Sequence, residues 1–279
     1  MRWVVLVIAA ACGSSKPATP KDAPVALDVP VDVAIDAPPG SGCVASAFTG
    51  SPTTIGTATA LSIALPTSLA FAVSSPNDNS LYEEQPPSAA AAAIAVFTAD
   101  ATHGWDHPAL RPDGNELFAR EINTTTIWSS TKSGSTWATP VQMTGGWPSD
   151  SLASTPAAVG TAGDLRMMIW DDVQLQEYSR ASGTWTSVGT AMTPTQLVGQ
   201  NAFLAAPMLT PDGLSLVFLA NLGGSSLTVY YLHRASTSAA WPLPATAIYA
   251  STAIYSPYLT ANCADLYLLD NDKLARLGP

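Results

Sequence analysis

Charge is the scarcest property of this 279-residue chain. Only 11% of its residues are Asp, Glu, Lys or Arg, against about 25% in an ordinary globular protein. Lys and Arg number 11 against 21 acidic residues, a formal net charge of −10. A chain this poor in basic residues, with no cluster of them, repels phosphate backbones, so nucleic acid is excluded as a partner. The low charge also excludes a coiled coil or a charged disordered tail. Cysteine is scarce too, at three residues, and no Cys-x-x-Cys, Gly-x-Ser-x-Gly, Walker loop or His-Glu-x-x-His occurs, so catalysis has little support. No long hydrophobic run is present. Trp3–Ala11, nine residues, spans ~13 Å as a helix, well short of a ~30 Å hydrocarbon core. What is plentiful is punctuation: 23 Pro and 19 Gly among many Ser, Thr and Ala, the composition of short strands and frequent turns.

Residues 1–11 read as an export signal: a basic start at Arg2, a short apolar run, then small residues. Ala9-Ala10-Ala11-Cys12 resembles the bacterial lipobox, although Ala9 stands where that motif has Leu. The resemblance implies a lipidated Cys12 that anchors the mature chain to a membrane. Gly13 after it resembles the pattern of lipoproteins sent to an outer membrane. Residues 12–42 then read as an extended tether, with six prolines from Pro17 to Pro39 and Asp28, Asp32 and Asp36 too polar and interrupted to form a core. Thirty such residues hold a domain on the order of 30 Å from its anchor.

Residues 43–279 read as one repeating domain. Segments 107–120, 155–168, 206–219 and 256–269 align without gaps. Each has Pro second (Pro108, Pro156, Pro207, Pro257) and Leu eleventh (Leu117, Leu165, Leu216, Leu266), at steps of 48, 51 and 50 residues. Each reads as a β-hairpin, with Asp113-Gly114 and Asp212-Gly213 as its strongest turn signals. After the first three, a further strand leads through a small-residue turn to Trp137, Trp185 or Trp241, each opening an outer strand. Four strands in about 50 residues is the size of a propeller blade.

Leu110-Arg111-Pro112-Asp113-Gly114 and Leu209-Thr210-Pro211-Asp212-Gly213, each followed by the strand–turn–Trp track, resemble the TolB-like and WD-repeat-like β-propeller repeats of bacterial envelope proteins. The expected fold is therefore all-β, a propeller of five blades, with six as the alternative. Its last unit lacks an outer strand, and an open sheet edge invites aggregation. AFTGSPTTI (47–55) resembles WPLPATAI (241–248), so residues 46–56 are expected to complete the final blade. The first blade would draw its strands from Leu61–Leu65, Leu69–Val73, Ser80–Glu84 and Ala92–Phe97. Cys43 and Cys263 would meet in the shared blade as a disulfide stapling the two ends, contributing about 2–5 kcal/mol. The alternative is two free thiols.

Two groups of candidate binding residues stand out. His103, Trp105, Asp106 and His107 form the densest polar-aromatic cluster. Two imidazoles four apart share a face only on a helix, which Gly104 and Pro108 oppose, so a structural junction is favoured over a metal site, and no metal or cofactor is expected. The second group is an acidic rim of hairpin turns: Asp78, Glu121, Asp171, Asp172, Asn221, Asp270 and Asp272. These are also ordinary turn formers. Arg111, Arg120, Arg166, Arg180 and Arg234 fall at mostly different repeat positions and are not expected to converge, as a sialidase-like site would require; Arg180 and Arg234 read as exposed. Ser130–Trp137 resembles a sialidase Asp-box, but Lys132 stands in the Asp place. The sequence therefore reads as a monomeric, lipid-anchored, noncatalytic binding module of the cell envelope for a protein, peptide or glycan. A glycan hydrolase on the same fold and a structural envelope component are the alternatives.

Overall fold

A computed structural model describes residues 48, 50–57, 63–64, 71–74, 79–84, 92–111, 113–122, 124, 126–143, 152–153, 157–158, 165–181, 184–260, 263–271 and 273–278. The signal, Cys12, the tether, Cys43, Asp78 and Asp272 lie outside these residues.

The first strand, β1 (Thr53–Thr57), does not join the strands that follow it. Four of those pair in sequence as a first sheet: β2 (Ile63–Ala64), β3 (Phe71–Ser74), β4 (Leu81–Glu84) and β5 (Ala92–Ala93). The second sheet holds β6 (Trp105–Leu110), β7 (Glu116–Glu121) and β8 (Ile127–Ser133), with β9 (Thr136–Trp137) and β10 (Val141–Gln142) both on β8. In the third, β11 (Leu152–Ala153) and β12 (Ala157–Ala158) both border β13 (Leu165–Trp170), followed by β14 (Leu175–Ala181) and β15 (Thr184–Met192). A short helix, α1 (Pro194–Val198), capped by Thr193, leads to the fourth: β16 (Phe203–Leu209), β17 (Ser215–Asn221), β18 (Leu227–His233) and β19 (Thr246–Ser251). The fifth has β20 (Ile254–Leu259), β21 (Leu266–Asp270) and β22 (Lys273–Leu277), and its fourth strand is β1, with Thr54 opposite Ala275. All pairs are antiparallel. Each sheet packs on the next, and β2 of the first touches β20 of the fifth, which closes the circle. The fold is an all-β propeller.

The core explains why alternation is hidden in the second strands. β17 is buried on both faces: Leu216, Phe218 and Ala220 pack toward the third sheet, Val217 and Leu219 toward the fifth. β13 does the same, with Met168 and Trp170 toward the fourth sheet and Met167 and Ile169 toward the second. Such strands read as continuous apolar runs, and each fully buried Leu or Phe contributes about 1.5–3 kcal/mol. The repeated Leu117, Leu165, Leu216 and Leu266 are all fully buried.

The repeated proline has an equally local cause. His107, Ala206 and Ser256, each immediately before a repeat Pro, adopt φ +46°. At each the innermost strand advances three residues while its partner advances two: Asp106 to Ala109, Ala205 to Met208, Tyr255 to Tyr258. These are β-bulges, and Pro sits where its missing N–H costs no ladder bond.

Two strand expectations are corrected. Residues Ala95–Phe97 form a 3-10 turn after β5, with Phe97 fully buried against Trp105. Trp241 does not open an outer strand: β19 begins at Thr246, beyond the cis Leu243–Pro244 bond. In the third sheet β12 pairs with β13 antiparallel, Ala157 opposite Arg166, as the hairpin reading of 155–168 expects.

Candidate functional site

The hairpin turns position the first element of the site. In Thr210–Ser215, Gly213 N–H donates to Thr210 O at 2.8 Å with Gly213 at φ +69°. Gly114 and Cys263 make the same bond to Arg111 and Thr260, at φ +73° and +55°. The carbonyl of Gly213 accepts from Arg234, Nε at 3.0 Å and Nη2 at 2.8 Å. Arg234 directly follows β18 and is only 3% exposed.

From there its guanidinium crosses to the third sheet. Nη1 and Nη2 lie 2.7 and 2.8 Å from the two oxygens of Glu177 on β14. Glu177 stands opposite Met168, and so shares the face of β13 and β14 that packs toward the fourth sheet. Arg166, two residues before Met168, lies on that face and donates Nη1 to Glu177 at 3.1 Å. Trp241 Nε1 donates to the same carboxylate at 3.1 Å, while Arg234 covers one face of its ring, 4.1 Å from the centroid. Glu177 thus accepts four N–H bonds, the full capacity of a carboxylate. Above this floor opens a cleft of about 400 Å³ between β15 and the segment after β18, walled by Val188, Thr190, Gln196, Thr237 and Trp241.

A related junction joins the second and third sheets. Arg180 on β14 holds both oxygens of Glu116 at 2.6 Å, and its guanidinium lies 5.3 Å from the Trp185 centroid and 5.7 Å from that of Phe118. Lys132 lies 5.1 Å over Trp137 in the second sheet. A basic residue ending or following the third strand therefore meets the next Trp in three successive sheets. The expectation that Arg180 and Arg234 are exposed is corrected, as is the expectation that the arginines do not converge. Each reaches a carboxylate 64 or 57 residues away in the preceding sheet, and Arg166 joins Arg234 on Glu177. The local signal was present: Arg180-Ala181-Ser182 and Arg234-Ala235-Ser236 each precede a Trp by a few residues.

His103, Trp105, Asp106 and His107 do not converge on one point. His103 stacks on Trp105, which meets Phe97 and Trp128 edge-on within a buried cluster. Asp106 binds Arg120 through two hydrogen bonds and has His107 Nδ1 3.0 Å away. Burial opposes ionisation of Asp106, but Arg120 and His107 outweigh it and hold its pKa down to about 2. The rim residues bind their own turns. Asp171 accepts from Val173 and Gln174 N–H, Asn221 from Gly223 N–H, and buried Glu121 from Gly104 and Thr124 N–H. Asp270 accepts from the Asn271 side chain, and Asp172 and Asn271 take positive φ. No group of three or more His, Cys, Asp or Glu able to hold a metal ion occurs among the described residues.

No family model and no curated protein matches the chain. Solved structures similar to it include TolB from Acinetobacter baumannii, at 15% identity over 78% of this chain and 54% of that one, TM-score 0.46. They also include a TolB-type protein from Agrobacterium tumefaciens (15%, 78% and 82%, TM-score 0.42) and Kuenenia stuttgartiensis hydrazine synthase (13%, 79% and 58%, TM-score 0.43). The chain thus spans about half the length of the Acinetobacter TolB. By its own strand pairing it is a β-propeller.

Proposed function

We propose that the chain is a five-bladed, lipid-anchored propeller of the cell envelope that binds a glycan, without catalysis, in the cleft between its third and fourth sheets. Each of the five sheets is one blade. Cys12 carries the anchor and residues 12–42 form the tether. Cys43 pairs with Cys263: Phe48, five residues after Cys43, packs in the same buried cluster as Cys263, and its N–H donates to Ile248 O at 2.8 Å. No helix among the described residues is long and apolar enough to cross a membrane.

The observation that carries the binding reading is the state of Glu177. Glycoside hydrolysis needs a carboxyl group that gives or takes a proton, or attacks the sugar. Glu177 has all its acceptor capacity spent on Arg166, Arg234 and Trp241, which suits a rigid floor for recognition. A glycan array probed with the full chain and with W241A tests this. Retention of envelope glycans by the chain and their loss with W241A is the expected result. A blank array, or turnover of a retained glycan, overturns it.

A further inference from the structure

We infer that this cleft is selective for sugars bearing a carboxylate, such as a uronic acid; the inference rests on the glycan-binding reading above. The floor contains two guanidinium groups, Arg166 and Arg234, against one carboxylate, Glu177. It therefore carries a local charge of one positive unit within a chain of net charge −10. Arg234 is committed through four of its five N–H groups, with Nε and Nη2 on Gly213 O and Nη1 and Nη2 on Glu177. Arg166 is not. Its Nη1 meets Glu177 and its Nε is shielded from water, while its Nη2 is not shielded and has no acceptor among the described residues.

Arg166 lines the cleft, so its Nη2 is placed to donate to a ligand carboxylate in a charge-assisted bond. Glu177 supplies no further acceptor there. The remaining walls fit a sugar ring. Trp241 has one face under Arg234 and lines the cleft, and an indole face packs against the C–H face of a pyranose. Thr190, Thr237 and the Gln196 amide offer donors and acceptors for ring hydroxyls.

Calorimetric titration of the full chain with D-glucuronate, D-glucose and D-glucose 6-sulfate tests the inference, with R166Q as the variant and R111Q, which removes a guanidinium 3.8 Å from Glu116 at the other junction, as a control. Thermal melts establish that both variants fold. The intact chain is expected to bind glucuronate at least about tenfold more tightly than glucose, as one charge-assisted contact implies. R166Q abolishes that preference and R111Q keeps it. Equal affinity for glucuronate and glucose overturns the inference while leaving the glycan-binding reading intact. So does a preference for the sulfate, or a glucuronate preference that survives in R166Q. Failure of all three sugars to bind overturns the inference, and together with a blank glycan array removes the parent reading as well.

Discussion

Arg234 and Glu177 belong to neighbouring sheets, yet their side chains meet through two hydrogen bonds of 2.7 and 2.8 Å with almost no solvent contact. The pair holds the hairpin turn of one sheet against the face of the next, because the same guanidinium also grips Gly213 O.

Removing one partner leaves the other charged and buried. R234Q and E177Q are each expected to lower unfolding free energy by about 3–5 kcal/mol. The double variant R234Q/E177Q is expected to lose clearly less than the sum of the single losses. Urea denaturation of the four proteins measures the coupling. Additive losses would mean that the two groups do not act as a pair.

These contacts mark the boundary of what the sequence shows. The repeat was legible because Pro108, Pro207 and Pro257 each sit in a bulge and Leu117, Leu165, Leu216 and Leu266 each fill a core. Both are local requirements that every unit must meet. The borrowed strand was legible because Phe48 repeats the spacing of the outer track. The convergence of Arg166, Arg234 and Trp241 on Glu177 was not. It depends on which faces of two sheets oppose each other, and Glu177 occupies no repeated position. The rim was visible as acidic turns, but the backbone N–H groups that occupy Asp171 and Asn221 belong to turn geometry that composition does not specify.

Acid stability reports on a second junction. The Asp106 pKa is depressed to about 2 from an unfolded value near 3.9. A depressed carboxyl stabilises the fold above its unfolded pKa, and that contribution is lost as pH falls through the folded value. D106N is therefore expected to cost about 2 kcal/mol at pH 7, with the difference from the parent shrinking between about pH 4 and pH 2. Chemical denaturation across that range checks it. A difference independent of pH would show that the Asp106 charge is not the source.

The bulges predict a substitution that stabilises. Ala206 sits at φ +46°, a conformation costing about 1–2 kcal/mol for a residue with a Cβ. Glycine relieves this while adding about 0.4–1 kcal/mol of unfolded-chain entropy. A206G is expected to gain about 0.5–1 kcal/mol, read as a higher melting temperature. A loss of the size normal for Gly in a strand would place Ala206 in regular β conformation.

The whole arrangement depends on β1 completing the sheet of β20–β22, and hydrogen exchange at Lys273–Leu277 tests that most directly. In antiparallel pairing, alternate residues point their N–H at the partner, so T53P/T54P removes at least one bond to β22 wherever the alternation falls. The account predicts that amides of β22 are protected in the parent chain and lose protection in the variant, with a fall in melting temperature. Unchanged protection at Leu274 to Leu277 together with an unchanged melting temperature would contradict it.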